Sequence, residues 1–263
     1  MDTPTIHFNY QPGSLPIPVE LKIPPFTIQA YSRGAQYSFA IINEQKVAFD
    51  LGFCPLQAIR CGHIFITHAH EDHSWGVIRH IQYRKLYDLK PAIYYFPIDL
   101  VEPFREVLHS WNRFNRRNVP NHPVLVGLRP GDSAKVNNHY RVEAFLTHHR
   151  GPSLGYSLVK DQAEIPSLSY LGDHTRVSLD QHPVLGHSRI LAIELTFIGD
   201  EGDKAHKYAH MHIDDLVDLA EQGYFKNEHV ILKHLSVRYS QKEVERITRQ
   251  TLGGLALPQL TII

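Results

Sequence analysis

The sequence has almost no cysteine: two residues in 263, Cys54 and Cys61. That excludes a disulfide framework, and their spacing is not that of a zinc finger, so both read as reduced, partly buried thiols. It also lacks net charge, with 27 basic against 27 acidic side chains. A globally basic coat for nucleic acid is thereby excluded, although a local patch is not. No apolar run approaches membrane-spanning length, and Met1-Asp2-Thr3-Pro4 opens no secretory leader. No internal repeat or low-complexity linker divides the chain. The expectation is a soluble, cytoplasmic protein with no membrane contact, forming one domain over residues 1–263. A hydrophobic content of 43% is enough for a substantial core.

What the sequence has in excess is histidine, 19 in all. Three of them fall in Ile64-Phe65-Ile66-Thr67-His68-Ala69-His70-Glu71-Asp72-His73. The run from Gly62 to Thr67 reads as a buried strand of β-branched and aromatic residues, and a helix-like segment follows from about His73 to Leu89. In an extended loop, His-x-His places both imidazoles on one side. Asp72 and His73 stand where the helix begins and can turn back to the same point. Imidazole and carboxylate are the ligands that zinc and similar cations favour, and this cluster can hold two cations close together, an arrangement that activates water. A polar loop on a His-rich surface is the plain alternative, but random placement seldom puts His-x-His-x-Asp-His at a strand end.

That string resembles the signature of the metallo-β-lactamase superfamily of metallohydrolases. The rest of the chain repeats its logic, with strands delivering ligand-type side chains to loops. Prolines crowd the first 25 or so residues (Pro12, Pro16, Pro18, Pro24, Pro25), which read as wrapping over the surface. Strands are expected at Phe26–Tyr31, Tyr37–Ile42 and Lys46–Asp50, with a turn at Asn43-Glu44. Asp50-Leu51-Gly52 resembles the superfamily's Asp-x-Gly, whose Asp braces the metal loop rather than binding metal. A strand Ala92–Phe96 and a helix from Pro97 to Trp111 follow, with Phe104, Val107 and Leu108 on one helix face. Trp111–Arg117 is the most basic local stretch; it reads as a solvated loop, with contact to phosphate or bases as the alternative.

Asp132 to Thr147 reads as a strand pair ending at Thr147-His148-His149-Arg150-Gly151-Pro152-Ser153-Leu154-Gly155-Tyr156, which resembles the His…Pro-Ser-x-Gly-Tyr stretch of the tRNase Z branch. The match assigns His149 as a ligand and leaves His148 facing elsewhere. Strand Ser167–Leu171 runs into Gly172-Asp173, where the family carries a carboxylate that bridges two metals. His174 stands where family members commonly have Thr. Ile190–Phe197 is an apolar strand holding Glu194, and a buried carboxylate needs a partner. The segment resembles the family's His-Glu-Ala-Thr, whose Glu pairs with a later histidine; here His210 is preferred to His212, which reads as a helix-start residue. Val230–Tyr239, with Lys233-His234-Leu235-Ser236-Val237-Arg238-Tyr239, resembles the family's His-Phe-Ser-x-Arg-Tyr and assigns His234. A helix Gln241–Thr251 and a strand Gln259–Ile263 complete the reading.

The resemblance, from about Tyr37 to Tyr239, implies an α/β fold, the superfamily's four-layer αβ/βα sandwich with two mixed sheets. It implies two divalent cations, Zn2+ first, with Mn2+ or Fe as alternatives. One would take His68, His70, His149 and Asp173; the other Asp72, His73, Asp173 and His234. It implies Asp72, Glu194 and His210 as catalytic groups, a phosphodiester substrate such as precursor tRNA, and a homodimer. One departure is plain: Ser157–Tyr170 is too short for the long arm with which tRNase Z enzymes grip tRNA. Three functions therefore stay open: a tRNA 3′-end endonuclease of reduced form, an arm-less phosphodiesterase acting on a small or nucleotide-like substrate, and a metal-binding protein without catalysis.

Overall fold

The computed structural model describes residues 6–8, 16–116 and 123–263. Pro12 of the proline-rich opening and Arg117 of the basic stretch lie outside these residues. The first half contributes β1 (Ile6–Phe8), β2 (Val19–Ile23), β3 (Phe26–Gly34), β4 (Tyr37–Ile42), β5 (Val47–Phe49), β6 (His63–Phe65), β7 (Ile93–Pro97) and β8 (Val124–Leu128). The second contributes β9 (Ser133–Lys135), β10 (Tyr140–Leu146), β11 (Leu154–Lys160), β12 (Leu168–Tyr170), β13 (Ile190–Glu194), β14 (His229–Lys233), β15 (Leu235–Ser236) and β16 (Gln259–Ile262). One sheet runs β15-β3-β4-β5-β6-β7-β8, with β2 also on β3; the other runs β1-β16-β14-β13-β12-β11-β10-β9. Both are mixed: β5 to β8 pair in parallel and β3, β4 and β5 antiparallel, while β12 to β14 pair in parallel and β9 to β12 antiparallel.

Strand alternation sorts side chains into three cores. In β4, Ala40 and Ile42 face the opposite sheet while Phe39 and Ile41 face outward. In β13, Ile190 and Ala192 face inward and Leu191 and Ile193 outward. Because both faces are covered, these strands read as unbroken apolar runs. Helices α1 (Glu71–Ser74), α2 (Gly76–Leu86) and α3 (Val101–Phe114) belong to the first half, and Val77 of α2 and Phe104 of α3 pack on its outward face. On the second sheet lie α4 (Arg176–Gln181), α5 (Gly202–Tyr208), α6 (Ile213–Glu221) and α7 (Gln241–Leu252), with Leu179, Leu216 and Val244 in its outer core. The result is the expected four-layer αβ/βα sandwich. Among the described residues no helix is long and apolar enough to cross a membrane.

Two elements differ from the sequence reading. The helix expected over 73–89 is two helices, broken where Gly76 N–H turns to the Leu51 carbonyl at 2.7 Å. The stretch from Trp111 is not a loop: α3 continues to Phe114, because Trp111 extends its apolar face and packs edge-on against Trp75 at 6.3 Å. The strand that delivers His234 ends where the sequence places it: β14 stops at Lys233, and His234, with a φ of 66°, turns the chain out of β14 and across to the other sheet. There Leu235 and Ser236 pair with Arg33 and Gly34 of β3. The turn sets His234 between the two sheets.

Candidate metal centre

The loops that carry the histidines leave the C-terminal ends of β6, β10, β12, β13 and β14, all at one edge of the sandwich. Close backbone approaches hold these loops together. A Cβ on Gly52 would lie 1.8 Å from the Asp72 carbonyl oxygen, and one on Gly172 would lie 2.2 Å from Thr67 Oγ1. Only glycine fits at either place.

Two groups of side chains converge there. His68, His70, His149 and Asp173 each offer a ligand atom, all within 4.8 Å of one another; Asp72, His73 and His234 do likewise. Asp173 lies between the groups. Its Oδ1 is 3.1 Å from His73 Nε2 and 3.2 Å from His234 Nε2, while its Oδ2 is 3.6 Å from His68 Nε2 and 3.9 Å from His149 Nε2. His73 Nε2 and His234 Nε2 approach to 3.2 Å. Asp173, His210 and His234 form a third convergence of the same kind.

The tautomers follow from what lies behind each ring. His73 Nδ1–H donates to Asp50 Oδ2 at 2.8 Å, and His149 Nδ1–H to the Ala209 carbonyl at 2.9 Å. His68 Nδ1–H donates to Thr67 Oγ1 at 3.0 Å, while the Thr67 hydroxyl donates to Asp50. His234 Nδ1–H donates to Thr196 Oγ1 at 3.0 Å. Each of these rings therefore turns an Nε2 lone pair inward. His68 Nε2 and Asp173 Oδ1 are buried without a hydrogen bond. Buried orphan acceptors are costly unless a cation or donor meets them, so this cluster is built for divalent cations. Its nitrogen-rich donor set fits zinc better than calcium or magnesium.

Asp50 is the brace the sequence suggested. Fully buried, it accepts the Thr67 N–H at 2.8 Å and the Tyr170 hydroxyl at 3.1 Å as well as His73. Without a cation the carboxylates favour a charged His73, whose Nε2 proton a bound cation would displace. Burial pushes His73 down, but Asp173 and Asp50 outweigh it and raise its pKa to about 10. Burial pushes Asp72 up, yet His234 and His73 hold it at about 2. His68, buried among other rings, is driven well below its ordinary value.

Beside the cluster sits the expected dyad. His210 Nδ1 is 2.9 Å from Glu194 Oε1, which also accepts the His174 N–H at 2.7 Å. Burial disfavours both charges, but mutual attraction wins, holding Glu194 at about 2 and His210 at about 9, so the imidazole carries the proton at neutral pH. His212 is the N-cap of α6, accepting from Asp214 N–H, with Nε2 on the Gly199 carbonyl at 2.8 Å. His148 turns outward to Gln181 at 2.9 Å. Sequence reading missed Thr196, which donates to Glu194 and receives His234; its period-two spacing from Glu194 was the available signal. It also missed Ala35, whose N–H donates to Asp72 Oδ2 at 3.0 Å from a backbone φ of 63°.

No family model matches the chain. It is similar to tRNase Z TRZ1 of Arabidopsis thaliana, 27% identical over 257 residues that cover 86% of this chain and 90% of that protein. It is 32% identical over 152 residues to the nuclear ribonuclease Z of Triticum aestivum, covering 58% of this chain and 85% of the relative. The solved structure of the human short-form tRNase Z superposes with a TM-score of 0.66 at 21% identity, over 90% of this chain and 95% of that one. The metallo-β-lactamase fold protein YhfI of Bacillus subtilis gives 0.67 at 12% identity, over 89% and 93%. At these identities the two solved structures speak for the fold.

Proposed function

The chain belongs to the metallo-β-lactamase superfamily, where it is related to the ribonuclease Z proteins, and on that premise we propose that it is a binuclear-zinc hydrolase of phosphodiester bonds. The position of Asp173 carries the reading: its two oxygens face different histidine groups, as a carboxylate shared by two cations requires. His68, His70, His149 and Asp173 would hold one cation, and Asp72, His73, Asp173 and His234 the other. Such a pair, when bound, makes water acidic near neutral pH and offsets charge on phosphoryl oxygens. Asp72, ionised and fixed by the Ala35 N–H, orients the attacking water and accepts its proton. His210, protonated through Glu194, delivers a proton to the leaving oxygen.

The relatives' names favour precursor tRNA as substrate. One observation favours a small or nucleotide-like diester instead: residues 161–167 are all that join β11 to β12, so no gripping arm rises there. The zinc-loaded protein, incubated with a 3′-extended precursor tRNA and in parallel with bis(p-nitrophenyl) phosphate, decides between them. A cut after the discriminator base, lost in Asp72→Ala, establishes tRNA processing. Intact tRNA with Asp72-dependent hydrolysis of the small diester keeps the chemistry and removes tRNA. Turnover of neither sinks the hydrolase reading.

A further inference from the structure

The chain is neutral overall, yet one side of the metal centre carries cations without carboxylate partners. Arg150 follows His149, and Lys207 and Tyr208 end α5 three and two residues before His210. Among the described residues neither Arg150 nor Lys207 pairs with a carboxylate. Instead Arg150 Cζ and Lys207 Nζ each stand 5.5 Å from the centre of the Tyr208 ring. One Arg150 nitrogen donates to the Lys207 carbonyl, which fixes the guanidinium at the end of α5 and leaves its other N–H groups at the surface. Tyr208 is 41% exposed.

This group is wired to the site. Tyr208 stacks on Phe197 with centroids 6.4 Å apart and 12° between planes, and Phe197 lies 5.9 Å from the His210 ring. Ala209, the next residue, accepts the His149 Nδ1–H. The neighbouring Arg238 behaves differently: it lies over Phe197 at 5.4 Å but is matched by Glu201 at 3.5 Å. An exposed ring flanked by two unmatched cations, next to the groups assigned to phosphodiester chemistry, suits a base on the ring and phosphates on the cations.

We propose that Arg150, Lys207 and Tyr208 form a nucleotide subsite, taking a base and phosphate of single-stranded nucleic acid next to the scissile bond. The subsite rests on the phosphodiesterase reading for the position of that bond. It also gives the arm-less chain a means of preferring nucleotide substrates over plain diesters.

The test pairs two probes on the zinc-loaded protein. One is anisotropy of a fluorescein-labelled oligoadenylate; the other is kcat for methyl p-nitrophenyl phosphate, which carries no base. Tyr208→Ala should weaken oligoadenylate binding about tenfold, and Tyr208→Phe, which keeps the ring, should restore it. Arg150→Gln with Lys207→Gln should lower the slope of log affinity against log salt by about 1.4, the value for two phosphate contacts on a single strand. The kcat for the small diester should stay unchanged in all three variants. Unchanged oligoadenylate affinity in Tyr208→Ala, or a parallel loss of small-diester kcat, overturns the subsite; the latter would mean that Tyr208 merely holds the His210 loop. Wild-type protein that hydrolyses no diester but binds oligoadenylate through Tyr208 would retire the hydrolase reading and leave the subsite standing.

Discussion

Replacing Asp50 by Asn should damage one cation site and spare the other. Asp50 receives four donors: the Thr67 N–H and hydroxyl, the His73 Nδ1–H at 2.8 Å and the Tyr170 hydroxyl at 3.1 Å. Asn has nearly the same shape, and its oxygen can still accept both Thr67 donors. Its NH2 would then face His73 Nδ1–H, donor against donor. The ring escapes by moving its proton to Nε2, the atom that points at Asp173. A protonated Nε2 cannot ligate, so the site of His73, Asp72 and His234 should lose affinity about 10- to 100-fold, or roughly 1.4–2.8 kcal/mol. His68, reached through Thr67, keeps its tautomer, and its site should be nearly unaffected. Asp50→Ala is the harsher case: it strips the acceptor from all four buried donors and should cost about 3–5 kcal/mol of stability. Zinc titration against a competing chelator reads the first effect as a wild-type tight step followed by a weakened one. Two unchanged steps, or two equally weakened steps, would refute the tautomer argument.

Three further outcomes are expected. His210 is protonated below about pH 9 and loses its proton as pH rises past it, so diester kcat/KM should fall above about that pH. His210→Ala should abolish this alkaline limb and cost about 10²- to 10⁴-fold in rate; a limb that survives the substitution assigns the proton elsewhere. His80 is fully buried, donating from Nε2 to the Ala58 carbonyl at 2.9 Å and accepting from the Tyr94 hydroxyl at 2.8 Å. Burial lowers its pKa from 6.5 to about 4. The unfolded chain therefore takes up a proton that the fold refuses, so its stabilising contribution is whole above about pH 6.5 and lost as pH falls towards 4. By about pH 5 the loss is about 2 kcal/mol. Urea midpoints of His80→Gln should drop less between about pH 7.5 and 5 than those of wild type, and equal drops would exclude His80 as the cause. Burial pushes the Cys54 and Cys61 thiols up to about 12; alkylation of the native protein at about pH 8 should be far slower than in urea, and equal rates would contradict the burial.

The sequence by itself determined which ligand-type side chains stand at the strand ends. His-x-His-x-Asp-His after an apolar run, and single acids or histidines at four later strand ends, are local patterns, because a strand's alternation and its end are set by neighbouring residues. The bracing Asp50, the Glu194–His210 pair and the exclusion of His148 came through the family resemblance that those local patterns carry. Tertiary structure alone decided how those groups meet. Nothing local shows that His234 adopts φ 66° and swings between the sheets, that Asp173 presents one oxygen to each histidine group, or that Thr196 joins His234 to Glu194. Nor does it show Tyr208 stacking on Phe197 beside His210, since that contact joins a helix end to a strand-end loop. Residue types are fixed along the chain, but distances between strand ends are fixed by how two sheets twist and pack, and that is a property of the whole fold.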